Sequence, residues 1–295
     1  MRAGVFLLIG CVAAAAMPAG AQSRRVEAAR KMAEAVPPPD GPAMPDATPD
    51  AAAHLDYQLY THGLRIGRIE AALQLQAAKY HVEVAFRTFG LVGWLFRGHQ
   101  LDIADGRIRE RLPEPLRFSG EGFWRGTNRR ILMEYIGRQP VVRDLEPPND
   151  VEREPVPVSL QANTLDTLSA MVLLIRRVAD TGRCEAAVDT YDGRRAVQFS
   201  ARTTGETELE PSGRSSFRGR ALRCDFDGKL QAGYRLEDSP EERAKSRHGA
   251  AWFAPVVPGA PLLPVRIEFE TAMFGDVLMY LIAAGPGAAR DPPAD

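Results

Sequence analysis

The sequence predicts a mainly β protein, built as a single strongly curved antiparallel sheet (an open barrel or β-spiral) wrapped around one buried α-helix. Short segments in which apolar and polar residues alternate recur along the central part of the chain, as half-buried antiparallel strands do. Turn signals containing glycine separate many of these segments,. A single segment carries its apolar residues at helical spacing instead,.

The strand pattern is clearest where apolar Ile69, Ala71 and Leu73 alternate with polar Arg68 and Glu70. Comparable patterns predict strands at 55–61, 69–75, 80–86, 103–111, 118–124, 131–135, 197–201, 222–226, 250–253, 265–271 and 277–284,. Turns are predicted at His62–Gly63, Asp105–Gly106, Gly137, Asp192–Gly193 and Asp227–Gly228,. So many short strands must curl to protect their edges.

The predicted helix spans residues 165–179, with Asn163 or Thr164 as its N-cap and Gly182 just past its end,. Its apolar residues are too numerous for a helix that lies on the surface. We therefore expect the sheet to wrap around this helix.

The ends of the chain predict export to the bacterial periplasm. Residues 1–21 have the anatomy of a cleaved signal peptide that ends at Ala21,. Cys11 stands in a sequence that resembles a lipoprotein cleavage site, and this remains the alternative. Residues 22–53 are rich in alanine and proline and predict a disordered linker, 54–284 a β-rich domain, and 285–295 a disordered tail,.

Two cysteines, Cys184 and Cys224, remain once the signal is removed. In an oxidising compartment they are expected to form a disulfide, and their places in the alternation direct both sulfurs to the apolar side. The redox-active alternative lacks the Cys-x-x-Cys spacing.

Charge gives little indication of a partner. The formal charge is −1 and falls by one when Arg2 leaves with the signal, which predicts no binding of nucleic acid. Beyond the signal no apolar run is long enough to span a membrane,. Only four of the 37 basic residues are lysines. Arginine suits an anionic envelope ligand, but arginine-rich codon usage is the favoured explanation, because the arginines are scattered and form no binding stripe. The oligomeric state stays open.

No motif predicts catalysis, a metal site or a cofactor. Hydrolase, zinc-protease and nucleotide-binding motifs are absent from the sequence,, and the five histidines are separated from one another. Six carboxylates could still meet in three dimensions as a catalytic pair: Asp102, Asp105, Glu134, Asp166, Asp189 and Asp192,. Each also has a structural explanation, so we expect a protein that is not an enzyme.

The segment from Gly90 to Gly98 is the most suggestive candidate for binding. Its large apolar residues are flanked by glycines, which fits a mobile lip over an apolar ligand or an ordinary core strand. As ligand-binding residues we predict Leu91, Trp94, Leu95 and Phe96 at the mouth, with Met171 and Ile175 lining the site from the helix.

Several features together resemble the exported bacterial family of unknown function DUF3108. They are Tyr57, Gly63, Ile66–Gly67, the Gly90 segment, Leu165–Asp166, Ser169–Ala170, Gly182–Cys184, Asp192–Arg195, Cys224 and Leu263–Arg266. The resemblance implies a β-rich periplasmic protein and supplies no catalytic residues. The architecture is also distantly similar to that of periplasmic lipoprotein carriers, which shelter an acyl chain in a curved sheet.

Three functions follow as hypotheses. The first is a non-enzymatic envelope protein that binds a lipid or an acylated protein on its concave β face. The second is a scaffold that binds another envelope protein or peptidoglycan through a sheet edge or its arginines. A hydrolase with a non-local site of acidic or histidine residues is the third.

Overall fold

A computed structural model describes residues 52–90, 97–124, 126–271 and 275–287. The predicted signal peptide, nearly all of the linker and the tail from residue 288 onward lie outside these ranges. The first strand begins at Ala52 and the last ends at Pro286, so the strands extend two residues past each predicted domain boundary.

Within the described ranges the chain forms thirteen strands and two α-helices. The strands are β1 (Ala52–Thr61), β2 (Leu64–Leu75), β3 (Lys79–Thr88), β4 (Gly98–Arg109), β5 (Leu112–Trp124), β6 (Thr127–Ile136), β7 (Gln139–Glu146), β8 (Ala186–Tyr191), β9 (Ala196–Leu209), β10 (Gly219–Ala232), β11 (Ser246–Ala254), β12 (Leu263–Thr271) and β13 (Gly275–Pro286). The helices are α1 (Thr167–Thr181) and α2 (Pro240–Ala244), and short 3-10 turns occupy Asn149–Val151 and Val158–Leu160.

All thirteen strands belong to one antiparallel sheet. Its order is β7-β6-β5-β4-β3-β2-β1-β13-β12-β11-β10-β9-β8. Every pair of strands adjacent in sequence is therefore paired in the sheet except β7 and β8, and the first strand pairs with the last. The two edges, β7 and β8, are not paired with each other, and the sheet is an open barrel. The predicted fold class is confirmed.

The inner side of the sheet faces α1 and forms the core. We call β1–β7 the first arm of the sheet and β8–β13 the second arm. Helix α1 packs against β4 and β5 in the first arm and against β8 in the second, and Val172, Ile175 and Val178 are almost fully buried. Burial of an apolar side chain of this size stabilises the fold by roughly 1.5–3 kcal/mol. The helix therefore holds the two arms together from inside.

The start of α1 differs from the prediction. Its N-cap is Asp166, whose carboxylate accepts the backbone N–H of Ser169 at 2.9 Å, and neither Asn163 nor Thr164 has this role. Leu165 is held extended, because its N–H donates to Asp189 O at 3.0 Å and its carbonyl accepts from Tyr191 N at 2.8 Å. At the other end Gly182 adopts the predicted left-handed C-cap, with φ of 66°,.

Two of the predicted turns are wrong: Asp105–Gly106 lies within β4 and Asp227–Gly228 within β10. Gly106 serves packing instead, because a Cβ at this position would lie 2.2 Å from the Tyr80 hydroxyl. In this strand the glycine marks a close approach of another side chain, and the chain does not reverse.

The disulfide between Cys184 and Cys224 is present, with 5.8 Å between the Cα atoms. Both cysteines are completely buried, which confirms the prediction that the bridge lies on the apolar side. It links the segment after α1 to β10 and so ties the helix to the second arm of the sheet. None of the helices in the described residues is long and apolar enough to cross a membrane.

Candidate ligand-binding site

Seven residues form a row across the outer side of the sheet, one on each of seven adjacent strands. Each lies directly opposite the next in the antiparallel registers. Opposed side chains on one face are about 5 Å apart, close enough to interact. This outer row consists of Arg223, Trp252, Arg266, Tyr280, Gln58, Arg68 and Arg87.

Guanidinium groups and aromatic rings alternate in one half of the outer row. Arg223 and Arg266 lie over the Trp252 ring, with 5.1 and 4.8 Å to its centroid, and Arg266 is also 5.4 Å from the centroid of Tyr280. Trp252 is only 4% exposed, because the arginines cover it. Cation–π contacts of this kind contribute about 0.5–1 kcal/mol each at exposed sites. They also hold the guanidinium groups in fixed positions.

Carboxylates organise the other half of the outer row. Arg68 donates two hydrogen bonds to Asp56, at 2.8 and 2.6 Å, and the hydrogen bond with Asp56 raises the pKa of Arg68. Glu70 lies 3.1 Å from both Arg68 and Arg87. This bidentate geometry fixes Arg68 in one orientation.

A pocket of about 110 Å³ opens beside Arg68, lined by Gln58, Arg65, Arg68, Phe89 and Ile282. The guanidinium of Arg65 lies 5.8 Å from the centroid of Phe89. Arg65 is exposed, and among the described residues no carboxylate forms an ion pair with it. The pocket thus places an uncompensated cation next to an aromatic and an aliphatic side chain. This combination fits an acidic group that is attached to an apolar body.

The predicted ligand-binding residues fall into two groups. Leu91, Trp94, Leu95 and Phe96 lie outside the described residues. Their segment directly follows Phe89 and Gly90 in sequence, and Phe89 lines the pocket. Met171 and Ile175 lie on α1 at the inner side, where Ile175 is fully buried and Met171 packs against the core. The structure therefore does not bring these two residues to the pocket.

The six candidate carboxylates are divided between the two sides of the sheet. Asp105 and Glu134 lie on the outer side, where Asp105 contacts His81 and Glu134 pairs with Arg143 at 2.8 Å. Asp189 is exposed on β8. The other three, Asp102, Asp166 and Asp192, face inward and interact electrostatically. In the described part of the chain no group of three histidines, cysteines or carboxylates could hold a metal ion.

Asp166 and Ser169 form a hydrogen-bonded polar cluster on the inner side. The Ser169 hydroxyl donates to Asp166 at 2.5 Å and is 2.6 Å from the hydroxyl of Tyr80. Burial raises the pKa of Asp166 to about 6. Asp166 and Ser169 are both completely buried, and the carboxylate also caps α1. The cluster therefore anchors the start of the helix against β3.

Sequence reasoning missed the residues of the pocket. Arg68 is correctly predicted on the polar side of its strand, but nothing in the alternation indicates that Gln58, Phe89 and Ile282 meet it. The pairing of β1 with β13 brings Ile282 to this place from the far end of the chain. Arginines at outward positions of successive strands are the one signal that could have indicated this surface.

Comparison with known proteins gives a similar solved structure and a family. No curated protein matches the chain. A solved structure, the beta-barrel-like protein of domain of unknown function DUF1849 from Brucella abortus, is 11% identical, with a TM-score of 0.49 over 81% of this chain and 99% of that one. The sequence profile described as "Protein of unknown function (DUF3108)" matches residues 56–282, and the chain therefore belongs to the DUF3108 family.

Proposed function

We propose that this is a non-enzymatic protein of the bacterial periplasm that binds an amphiphile with an acidic group, a lipid or an acylated protein. The observation that carries the proposal is the pocket on the outer side. There Arg65 and Arg68 offer charge while Phe89 and Ile282 offer apolar surface.

The filled interior of the sheet supports a ligand site on the outer side. The side chains of Leu55, Tyr57, Leu59 and Val172 are at most 2% exposed, so the described concave face is occupied by the protein itself. A ligand in the outer pocket would contact Phe89, after which the sequence continues into the apolar segment 91–96.

Two residues with separate roles allow a sharp test. Arg65→Gln removes the uncompensated charge, and Phe89→Ala removes the apolar floor. Arg202→Gln is the matched control, because Arg202 is also an exposed outer arginine but lies on β9, away from the pocket. Dodecanoate serves as the probe, with dodecanol and acetate as its uncharged and chain-free counterparts.

Isothermal titration calorimetry should show that dodecanoate binds more tightly than either counterpart. We expect both pocket variants to weaken this binding by at least about tenfold, equivalent to about 1.4 kcal/mol, and Arg202→Gln to leave it unchanged. Circular dichroism would confirm that the variants fold. Equal affinity in the wild type and both pocket variants would exclude this site.

A scaffold is the second candidate, and the open sheet favours it. The edges β7 and β8 are not paired with each other in the described structure, and an open edge can accept a strand from a partner protein. Native mass spectrometry of protein purified without detergent separates the two functions. A stoichiometric bound lipid supports the amphiphile-binding function. Empty protein together with one reproducibly crosslinked protein partner supports the scaffold.

A further inference from the structure

The two edges of the sheet approach each other at the turn between β8 and β9. Arg194 in this turn donates to the carbonyl of Glu146, at the end of β7, with 2.7 Å between the atoms. Next to it, Glu154 N donates to Tyr234 O at 2.9 Å and Leu236 N to Glu152 O at 3.2 Å. This seam joins the two arms of the open barrel through loop contacts, without a continuous strand ladder.

Charged side chains are concentrated at the seam. Four buried or half-buried arginines interact electrostatically with two carboxylates, which leaves an excess of two positive charges within this group. We call the group the seam cluster; it consists of Arg129, Arg153, Arg194, Arg195, Glu152 and Asp192. At its rim Arg235 is accompanied by Asp238 and the exposed Glu237. Asp102, whose pKa burial raises to about 7, also interacts with Arg195, so the wider group has an excess of one positive charge while Asp102 is protonated.

The two carboxylates of the seam cluster are already occupied. Asp192 accepts the backbone N–H groups of Arg194 and Arg195 at 2.9 and 2.7 Å and the Arg195 side chain at 2.8 Å. Glu152 is paired with Arg129. Neither carboxylate has an ion pair left for Arg153 or Arg194.

Arg153 and Arg194 therefore donate to backbone carbonyls. Arg153, only 7% exposed, donates to Gly233 O at 2.7 Å. The Nη1 group of Arg194 is buried and has no hydrogen-bond partner among the described residues. Burial and the neighbouring arginines lower the pKa of Arg153 to about 9 and that of Arg194 to about 10. Arg153 and Arg194 thus have no ion pair of their own, although Asp192 acts on both at longer range, and a partly buried charge without a direct partner is costly.

We propose that Arg153 and Arg194 bind a phosphate group at the seam between the sheet edges. A phosphate carries a charge of about −1.5 to −2 at neutral pH and several acceptor oxygens. It matches the excess charge of the seam cluster, and the planar guanidinium fork suits its geometry. The site lies at the seam and is independent of the outer pocket.

The test uses the full mature chain and two phosphate sources at constant ionic strength. Inorganic phosphate represents the free ion, glycerol 3-phosphate represents a phosphate on a larger ligand, and sodium chloride is the control. We expect phosphate to raise Tm by at least about 2 °C and to broaden its ³¹P resonance. A stronger effect of glycerol 3-phosphate would identify a head group as the natural ligand.

Arg194→Gln should weaken phosphate binding by at least about tenfold, while Arg202→Gln, an exposed arginine outside the seam cluster, should leave it unchanged. If the Arg194 variant fails to fold, the ³¹P titration of the wild type decides alone. The proposal is overturned if the two phosphate sources raise Tm no more than sodium chloride does and their ³¹P resonances do not broaden. Full phosphate binding by folded Arg194→Gln would overturn it as well.

Discussion

Asp102 and Asp105 are three residues apart on β4, but they lie on opposite sides of the sheet. On the inner side, burial raises the pKa of Asp102 to about 7, and its side chain accepts a hydrogen bond from Gln100 at 2.8 Å. On the outer side, Asp105 lies 2.7 Å from His81. The hydrogen bonds that Asp105 and, to a smaller extent, Glu83 accept from its ring raise the pKa of His81 to about 9.

The two sides therefore use charge in opposite ways. Desolvation on the inner side favours the neutral form of Asp102, whereas the acceptors around His81 on the outer side favour its charged form,. Substitutions inside should change folding stability strongly. Substitutions outside should change it little and leave the surface available for binding.

The largest difference between the sides is expected from apolar truncation. Ile175→Ala removes a fully buried side chain from α1 and should lower the free energy of unfolding by about 2–5 kcal/mol. The matched control is Ile103→Ala, because Ile103 is half-buried on the outer side of β4, and its cost should be clearly smaller. Urea unfolding followed by circular dichroism measures both. Equal costs would contradict the view that α1 holds the sheet from inside.

A smaller effect, with a distinctive pH dependence, is expected for Asp102→Asn. The folded state raises the pKa of this carboxyl group from 3.8 to about 7, so it binds more protons than the unfolded chain between these values. Stability is therefore present at low pH and is lost as pH rises through about 7. The amide cannot ionise and should stabilise the protein at about pH 8 by on the order of 2 kcal/mol, with little effect at about pH 4.

Asp105→Asn is the control on the outer side. It removes an acceptor from His81 and should lower stability at neutral pH, the opposite sign to Asp102→Asn. Urea unfolding of both variants across the pH range gives the comparison. If Asp102→Asn and the wild type lose stability in parallel as pH rises, the inner carboxylate is solvated like a free one.

The same separation of sides explains what could be predicted from the sequence. Alternation correctly places Ile69 and Ala71 inside and Arg68 outside, because one residue type repeats on each face. The strand β7 (Gln139–Glu146) was not predicted, since its edge position leaves Val141 and Val142 both partly exposed and the alternation fades. Register is the missing information for both the pocket and the seam cluster. Ile282 meets Gln58, and Arg194 meets Glu146, only after distant strands have paired.

The smallest effects are expected for two histidines on the outer side, and they should have opposite signs. His81, with its pKa raised to about 9, binds more protons in the folded state. Its contribution is fully present below about pH 6.5 and is lost as pH rises through about 9. Burial instead lowers the pKa of His99, which stacks on Phe123 with 6.0 Å between ring centroids. Its neutral form is favoured, and stability falls when pH drops below about 6.5.

His81→Gln should therefore be less stable than the wild type at about pH 6 and approach it at about pH 10, where the wild-type imidazole is neutral. His99→Gln should show its relative gain at about pH 5, where charging of the wild-type ring opposes folding. Urea titrations at these pH values, with direct ¹H–¹⁵N titration of the imidazole resonances, measure both effects. If the stability difference between variant and wild type changes with pH in the same direction for both histidines, their different partners do not decide which form of the imidazole is stabilised. Opposite signs would show that local partners, and not the side of the sheet alone, decide which form is stabilised.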